Sequence, residues 1–283
     1  MQVHTFDTIH PFYAQVADYL LQHEVAHNLL LRICRSLLLA KSAPPATGAP
    51  YLASVTAEGA VVAVAIQTPP FPLVLSEVGD QAAIALLAQT LAADCPNLPG
   101  VNGPEAVSTA FADHWQRLTG RSTQVAMALR IHQLTQVVPP FGIKGALRPA
   151  TEADRPTVRQ WHQEFEQEAL GELSPQSDSD RWFDQVLAKQ SAYLWWDGEP
   201  VAIACGIPFT DHSIGLNLVY TPPRFRRRGY GSACVAALSQ HYLEHGYQRC
   251  VLFTDLAQPT PNKIYRAVGY LPVCDWKQYT FGA

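Results

Sequence analysis

The chain has few charged residues and no excess of positive charge. Charged residues make up 16% of its 283 residues, the formal net charge is −4 and the pI is about 6.2. Nucleic acids and anionic membranes bind proteins with a broad excess of Lys and Arg, so neither is expected as a partner. Apolar residues make up 48% of the chain, which is enough to build buried cores and argues against wholesale disorder.

Metal-ligand motifs and long hydrophobic runs are also missing. The six cysteines are far apart, with no C-x-x-C pair and no neighbouring H-x-x-x-H. No metal site is therefore expected, and the cysteines are interpreted as buried free thiols. No apolar run reaches the ~20 residues that a membrane span requires. The opening MQVHTFDTIH has neither the basic nor the apolar region of a signal peptide, so we expect a cytoplasmic protein.

The pattern along the chain predicts two halves of similar organisation. Residues 137–142 (VVPPFG) disfavour regular structure and are predicted to form a linker. Each half reads as helices, a small meander of strands and a helix, followed by further strand and helix, which predicts a duplicated α+β unit. In the first half, residues 100–103 are predicted to form a loop. In the second half, residues 151–154 fit a capping box at the start of a helix.

The most informative segment joins a predicted strand over 213–220 to a predicted helix over 230–245. Residues 226–232 read RRRGYGS. Glycines at this position let the backbone turn sharply and approach a ligand. The helix start offers unpaired N–H groups and the positive end of the helix dipole, and the arginines add donors for phosphate oxygens. The segment therefore suits a pyrophosphate group.

Other phosphate and nucleophile motifs fit this segment less well. A dinucleotide-binding G-x-G-x-x-G/A motif would place Gly or Ala where Cys234 stands, and the surrounding strands form a meander, not a βαβ unit. A P-loop needs G-x-x-x-x-G-K-S/T, which is absent. A nucleophile elbow needs G-x-S-x-G, so Ser232 is not expected to form an acyl-enzyme. A solvated basic loop is the remaining alternative.

Two motifs resemble the GNAT superfamily of N-acetyltransferases. Arg226, Gly229 and Gly231 match its Q/R-x-x-G-x-G/A signature position by position. Residues 262–270 (NKIYRAVGY) resemble its N-x-x-x-Y/F-x-x-x-G-F/Y element, with the aromatic residue one step early at Tyr265. The resemblance covers about residues 148 to 281. Within the superfamily, the sequence looks like a bacterial subgroup with a degenerate N-terminal GNAT-like half.

The resemblance implies an α+β fold of two GNAT-like units, each a mixed, mostly antiparallel sheet flanked by helices. Residues 1–138 would be a degenerate GNAT-like domain without the cofactor motif, and residues 145–283 the GNAT acetyltransferase domain. At the corresponding junction of the first half, Glu77 and Asp80 stand where a phosphate would lie and would repel it. The first half is therefore expected to have lost cofactor binding and to shape the acceptor site or the domain interface.

The resemblance further implies acetyl-CoA as the acyl donor and an amine, in a small molecule or a peptide, as the acceptor. Tyr265 is expected to be catalytic, protonating or hydrogen-bonding the departing thiolate, with packing in the core as the alternative. The residues expected to bind the cofactor, on the strand end, the loop, the helix start and the second motif, are Leu218, Val219, Tyr220, Arg226, Arg227, Arg228, Gly229, Tyr230, Gly231, Ser232 and Asn262.

The sequence does not supply an evident general base. A backbone N–H near Val219 is expected to polarise the thioester carbonyl, but the strand over 213–220 carries no carboxylate. Asp211, His212 and Asp255 are the nearby candidates, and each also fits an ordinary turn or cap residue. A non-catalytic acyl-CoA-binding or regulatory module is the alternative function. A different acyl donor or an O-linked acceptor also stays open.

Overall fold

Contacts along the chain divide it into two compact units. The computed structural model describes residues 1–40, 48–169, 176–257 and 259–282. Unit 1 consists of residues 1–131, 253–258 and 272–283, and unit 2 consists of residues 132–252 and 259–271. The predicted domains at 1–138 and 145–283 stay a prediction. The compact units differ from them chiefly because two short C-terminal segments pack in unit 1.

In the first part of the chain, helices are interspersed with strands. Its helices and strands, in chain order, are β1 (Gln2–Phe6), α1 (Ile9–Gln22), α2 (Asn28–Leu39), β2 (Tyr51–Ala57), β3 (Ala60–Gln67), β4 (Leu73–Leu75), α3 (Gln81–Asp94), β5 (Gly100–Pro104), α4 (Glu105–Thr119) and β6 (Thr123–Leu134). The rest of the chain contributes β7 (Ala146–Pro149), α5 (Arg155–Ala169), α6 (Gln176–Ala188), β8 (Ala192–Trp196), β9 (Pro200–Pro208), β10 (Ser213–Tyr220), α7 (Tyr230–Glu244), β11 (Arg249–Asp255), α8 (Pro259–Val268) and β12 (Leu271–Phe281).

The sheet of unit 1 runs in the order β1-β2-β3-β4-β5-β12-β6. From β1 to β12, strands β4 and β5 are parallel and the other neighbours are antiparallel. Helices α3 and α4 cover a core in which Phe111 and Trp115 stack with Phe281 of β12. Burying aromatic rings of this size stabilises the unit by about 2–3 kcal/mol each, which explains why β12 belongs here.

The prediction that residues 100–103 form a loop is wrong, because they form most of β5. Both glycines of the strand are required by close neighbours rather than by a turn. A Cβ on Gly100 would lie 2.1 Å from the carbonyl oxygen of Tyr279, and a Cβ on Gly103 would lie 3.3 Å from Leu75. Strand β1 was not predicted either. The strand predicted over 213–220 and the helix predicted over 230–245 are confirmed within one residue.

The sheet of unit 2 runs in the order β11-β10-β9-β8-β7, with β10 and β11 parallel and the other pairs antiparallel. Helix α7 packs on one face around Cys234, Val235 and Leu238, which we call the α7-side core. Helices α5 and α6 pack on the other face around Trp161 and Phe183, which we call the α5-side core. The predicted α+β class, with helices flanking mostly antiparallel sheets, is confirmed.

Helix α5 begins at a capping box, as predicted. The Thr151 side chain and the Asp154 carboxylate satisfy each other's backbone N–H groups, and Arg148 donates two hydrogen bonds of 2.8 Å to Asp154. Hydrogen bonds from Arg148, followed by those from Thr151, lower the pKa of Asp154 from 3.8 to about 2. Among the described residues, no helix is both long and apolar enough to cross a membrane.

Replacing Asp154 by asparagine should lower the free energy of unfolding by about 1–2 kcal/mol at neutral pH, as expected for a lost cap. A carboxyl whose pKa is lowered by folding stabilises above its ordinary pKa of 3.8 and loses that contribution as the pH falls toward about 2. The gap between wild type and variant should therefore be constant above about pH 5 and shrink toward pH 2. Urea unfolding across this range measures it, and a gap that widens in acid would contradict the assignment.

Candidate functional site

Strand β10 of unit 2 carries a bulge near its C-terminal end. Its antiparallel register with β9 pairs Asn217 with Cys205 and then Tyr220 with Ile203, so three steps on β10 match two on β9. Leu218 has a φ of 45°, in the left-handed region that branched side chains disfavour. The strain is held by burial, since Leu218 is only 4% exposed. A strained, bulged strand of this kind is typical of functional sites.

The bulge reverses the faces of the strand. Before it, Ile214 and Leu216 point into the α7-side core. After it, Leu218 and Tyr220 point into the α5-side core, whereas regular alternation would keep all four on one face. The one extra residue therefore turns the Tyr220 side chain toward α5.

The same strand parts from its parallel neighbour before the bulge. Pairing of β10 with β11 covers Ser213, Ile214 and Gly215, although β10 continues to Tyr220. The end of β10 therefore keeps backbone donors and acceptors that its own sheet does not use. The Oδ1 atom of Asn217 is also buried and has no hydrogen-bond partner within the described parts of the chain. These groups fit an extended ligand that bears amides.

The start of α7 provides an uncapped set of N–H groups. The first bond within the helix runs from Ala233 N–H to the Gly229 carbonyl oxygen at 2.9 Å. The N–H groups of residues 230–232 precede it, and no side chain caps them. Arg227 and Gly229 have positive φ values of 64° and 82° on either side of Arg228, whose φ is negative. Alternating φ signs of this kind turn backbone N–H groups toward a common point, as in anion-binding nests.

Glycine is required at both matched positions of the loop. Gly229 has a left-handed φ of 82°, and a Cβ there would lie 2.5 Å from Cδ1 of Ile143. A Cβ on Gly231 would lie 3.0 Å from Oγ1 of Thr221. A side chain would lack space at both positions, and at Gly229 it would also be strained by the left-handed backbone conformation.

The three arginines of the loop are exposed but differ in their partners. Arg226 donates from Nε to the Thr221 carbonyl oxygen at 2.8 Å and from Nη2 to the Glu168 carboxylate at 2.7 Å. Its guanidinium thus closes the loop and ties it to α5. Arg227 forms no ion pair with a described residue. Tyr230 donates to Asp197 at 2.6 Å, so its hydroxyl is engaged and its backbone N–H is the group facing the loop.

The α3 helix of unit 1 begins differently. There the N-cap is Asp80, whose Oδ1 accepts a hydrogen bond of 2.8 Å from Ala82 N–H. The helix start already holds a negative charge of its own, which would repel a phosphate. Nearby, the N–H of Glu77 donates to Nε2 of the buried His27 at 3.0 Å. At this junction, the Asp80 carboxylate and the Glu77 N–H thus both form hydrogen bonds within unit 1.

Tyr265 lies on α8 beside the α7-side core. Its ring meets that of Tyr270 edge-on, with 6.0 Å between the ring centroids. Burial raises the pKa of Tyr265, so its hydroxyl keeps its proton at neutral pH. That hydroxyl has no hydrogen-bond partner among the residues that the structure describes. Asn262 lies on the same helix, but its side chain falls outside the described residues.

The base candidates taken from the sequence lie away from the bulge or serve a turn. Asp211 and His212 precede the start of β10, and a strand of this length spans about 25 Å. The carbonyl oxygen of His212 accepts from Gln248 N–H at 2.8 Å. Asp255 accepts from Ala257 N–H at 2.8 Å and belongs to unit 1. Asp211 and His212 therefore do not lie beside Tyr220.

Glu164 is the carboxylate that sequence reasoning missed. It lies on α5, and its Oε2 accepts a hydrogen bond of 2.8 Å from the Tyr220 hydroxyl. Glu168, one turn further along α5, has its Oε1 at 3.5 Å from the same hydroxyl. The i, i+4 spacing of the two glutamates was visible in the sequence. Their partner was not, because only the bulge brings Tyr220 to this face.

The described cysteines and acidic residues show no metal centre. Four cysteines are buried as free thiols and two, Cys95 and Cys274, are half-buried. Within the described residues, no group of three or more His, Cys, Asp or Glu side chains is placed to hold a metal ion.

Comparisons with known proteins agree with this geometry. Residues 155–270 match the model of the acetyltransferase (GNAT) family. Three solved structures share the fold over 99% of this chain: an acetyltransferase of the GNAT family from Colwellia psychrerythraea (10% identity, TM-score 0.61, 99% of that chain), a GCN5-related N-acetyltransferase from Sphaerobacter thermophilus (14%, 0.63, 97%) and a tandem GNAT protein from the clavulanic acid biosynthesis pathway (14%, 0.58, 98%). Comparison with curated protein sequences gives no significant match.

Proposed function

Residues 155–270 form a domain of the GNAT acetyltransferase family, and from this premise we propose that the protein transfers the acetyl group of acetyl-CoA to an amine. Membership of the family implies acyl transfer in general. The parting of β10 from β11 ahead of the bulge carries the finer proposal. An opened strand edge next to an uncapped helix start fits a ligand that joins an amide-bearing arm to a pyrophosphate, as CoA does.

The chain's own groups divide between the two ends of such a ligand. The N–H groups of Tyr230, Gly231 and Ser232 would hold the pyrophosphate, with Arg227 and Arg228 adding positive charge. The end of β10 from Leu218 to Tyr220 would pair with the pantetheine arm, and Asn262 would add a contact from α8. Arg226 would act through the loop conformation that it holds, because its guanidinium is already bound to Thr221 and Glu168.

At the reacting end, the amine attacks the thioester directly and no acyl-enzyme forms. A backbone N–H at the bulge, near Val219, would hold the carbonyl oxygen as it gains negative charge. Tyr265 would protonate the thiolate that leaves. Its raised pKa suits a general acid, which must carry a proton before the step. No described side chain forms a hydrogen bond with its hydroxyl.

Unit 1 would have no part in binding the cofactor. Its α3 helix begins at Asp80, whose carboxylate occupies the position that a phosphate needs. We therefore expect one CoA per chain. Isothermal titration should give a stoichiometry near one, and two equivalent sites would contradict this division of roles.

The function is tested by binding and by thiol release on the intact chain. CoA at about 100 times its dissociation constant should add about 2.7 kcal/mol of stability, which raises the melting temperature of a protein this size by about 5–10 °C. With acetyl-CoA and a panel of primary amines, free thiol should appear in step with acetylated amine. Binding without thiol release across alkylamines, arylamines and peptide N-termini would instead support a non-catalytic acyl-CoA-binding module.

A further inference from the structure

The carboxylate of Glu164 lies at the bulged end of β10 without belonging to that strand. Its Oε2 accepts a hydrogen bond of 2.8 Å from the Tyr220 hydroxyl, and its Oε1 accepts one of 2.7 Å from Nε2 of Gln160. Both donors are neutral. No Lys or Arg within the described residues forms an ion pair with it, so Glu164 is not committed to a structural salt bridge and keeps lone pairs for a further donor.

The bulge makes this contact possible. In regular alternation Tyr220 would follow Ile214 and Leu216 into the α7-side core. The extra residue turns it into the α5-side core instead, where its ring meets Trp161 at 6.4 Å between centroids. The bulge therefore places a hydroxyl beside Glu164, at the end of a strand that has already parted from β11.

Three charged or titratable groups face this carboxylate. Tyr220 comes from β10, Glu168 from the next turn of α5, and Arg226 from the loop, with its guanidinium 5.6 Å from the Tyr220 ring. Arg226 is paired with Glu168 at 2.7 Å, which offsets both charges. Burial, together with the hydrogen bond to Glu164, raises the pKa of Tyr220. Tyr220 therefore stays a proton donor to Glu164 through the physiological range.

We propose that Glu164 is the general base that accepts the proton of the attacking amine, and that Tyr220 is the positioning residue that holds its carboxylate. This inference rests on the proposed acetyl transfer. An ammonium gives one proton to Glu164, directly or through one water, and Glu164 passes it to solvent. The neutral nitrogen forms the C–N bond, and the C–S bond breaks with its electron pair on sulfur. Tyr265 gives a proton to the thiolate and recovers the second proton of the nitrogen.

The test compares Glu164→Gln with wild type in thiol release from acetyl-CoA, with a primary alkylamine and an arylamine as probes. Glutamine keeps the shape and can still accept from Tyr220. The kcat for the alkylamine should fall about 100-fold, while the KM for acetyl-CoA and the thermal shift with CoA stay unchanged. The rate of the variant with the alkylamine should recover as the pH rises, because the free neutral amine needs no base. With the arylamine, which is already neutral at pH 7, kcat should fall less than with the alkylamine.

Two further variants separate a positioning role from general damage. Tyr220→Phe should lower kcat for the alkylamine about 10-fold and keep the pH dependence of wild type, because the base remains but is less well held. Glu152→Gln is the matched control, since Glu152 is an exposed carboxylate near the start of α5 that pairs with Arg155. Its kcat should equal that of wild type.

The outcomes distinguish this inference from the function on which it rests. If wild type binds CoA but releases no thiol with any amine, the proposed transfer fails first. If wild type is active and Glu164→Gln keeps kcat for the alkylamine within threefold of wild type at pH 7, Glu164 is not the base. An equal loss for both amines together with a raised KM for acetyl-CoA would also overturn the proposal, because it would point to a distorted site.

Discussion

Replacing Gly229 by valine should abolish the thermal shift that CoA produces. Gly229 has a φ of 82°, and a Cβ would lie 2.5 Å from Cδ1 of Ile143. A β-branched residue in the left-handed region costs about 1–3 kcal/mol, and the clash forces the loop to move as well. The N–H groups at the start of α7 would then lose their common direction. We expect the affinity for CoA to fall at least about 100-fold, because two or more charge-assisted hydrogen bonds depend on that geometry.

The other end of the same helix supplies the matched control. Gly246 follows α7 with a φ of 100°, and a Cβ there meets nothing within 4 Å. Gly246→Val therefore carries similar backbone strain without touching the loop, and it should lower the melting temperature while keeping the shift with CoA. Differential scanning fluorimetry with and without CoA measures both variants. Equal shifts in wild type and Gly229→Val would remove the loop from the binding site.

Much of the loop could be predicted from the sequence because its constraints are local. The loop contains two glycines, Gly229 and Gly231, and it joins a strand to the start of a helix. The N–H groups at that helix start are free to bind a ligand. The contrast with unit 1 was equally local, since the carboxylate of Asp80 is a helix cap in its own right. Features of this kind depend on a few consecutive residues, and their chemistry can be inferred without knowing the packing.

The base could not be inferred in this way. Glu164 and Tyr220 are 56 residues apart, and their contact depends on a bulge at Leu218, a residue type that does not indicate positive φ. Near the strand, the sequence offered only Asp211, His212 and Asp255 as candidates. The strand pattern favoured regular alternation, which would have turned Tyr220 toward α7. The bulge decides on which face of the sheet Tyr220 lies. A sequence pattern assumes regular alternation, so it cannot predict this change of face.

The sequence pattern also could not predict which sheet β12 joins. Residues 271–281 form β12. The pattern does not say which neighbour a strand pairs with, and β12 pairs with β5 of unit 1. Strand β5 itself has two glycines and a proline, residues that weaken any prediction of a strand. Its glycines are there because the flanking strands leave no room for side chains.

Replacing Tyr265 by phenylalanine should lower kcat about 100-fold while leaving the binding of CoA unchanged. The substitution keeps the ring and its contact with Tyr270 and removes only the hydroxyl, which no described side chain engages. Since burial raises the pKa of Tyr265, the wild-type kcat should show no alkaline decline between about pH 7 and pH 9.5, because the acid stays protonated there. Thiol release under saturating acetyl-CoA, followed across this range, measures both effects.

Tyr270→Phe separates proton donation from packing. The Tyr270 hydroxyl lies 2.9 Å from Oγ of Ser239 in the α7-side core, so its loss should cost about 1 kcal/mol of stability and leave kcat within twofold. The two variants thus remove the same atom from neighbouring rings and should have opposite effects. If Tyr265→Phe is destabilised but fully active, Tyr265 is a core residue and the thiolate takes its proton from solvent. If it is stable and slow, the hydroxyl acts on the leaving group.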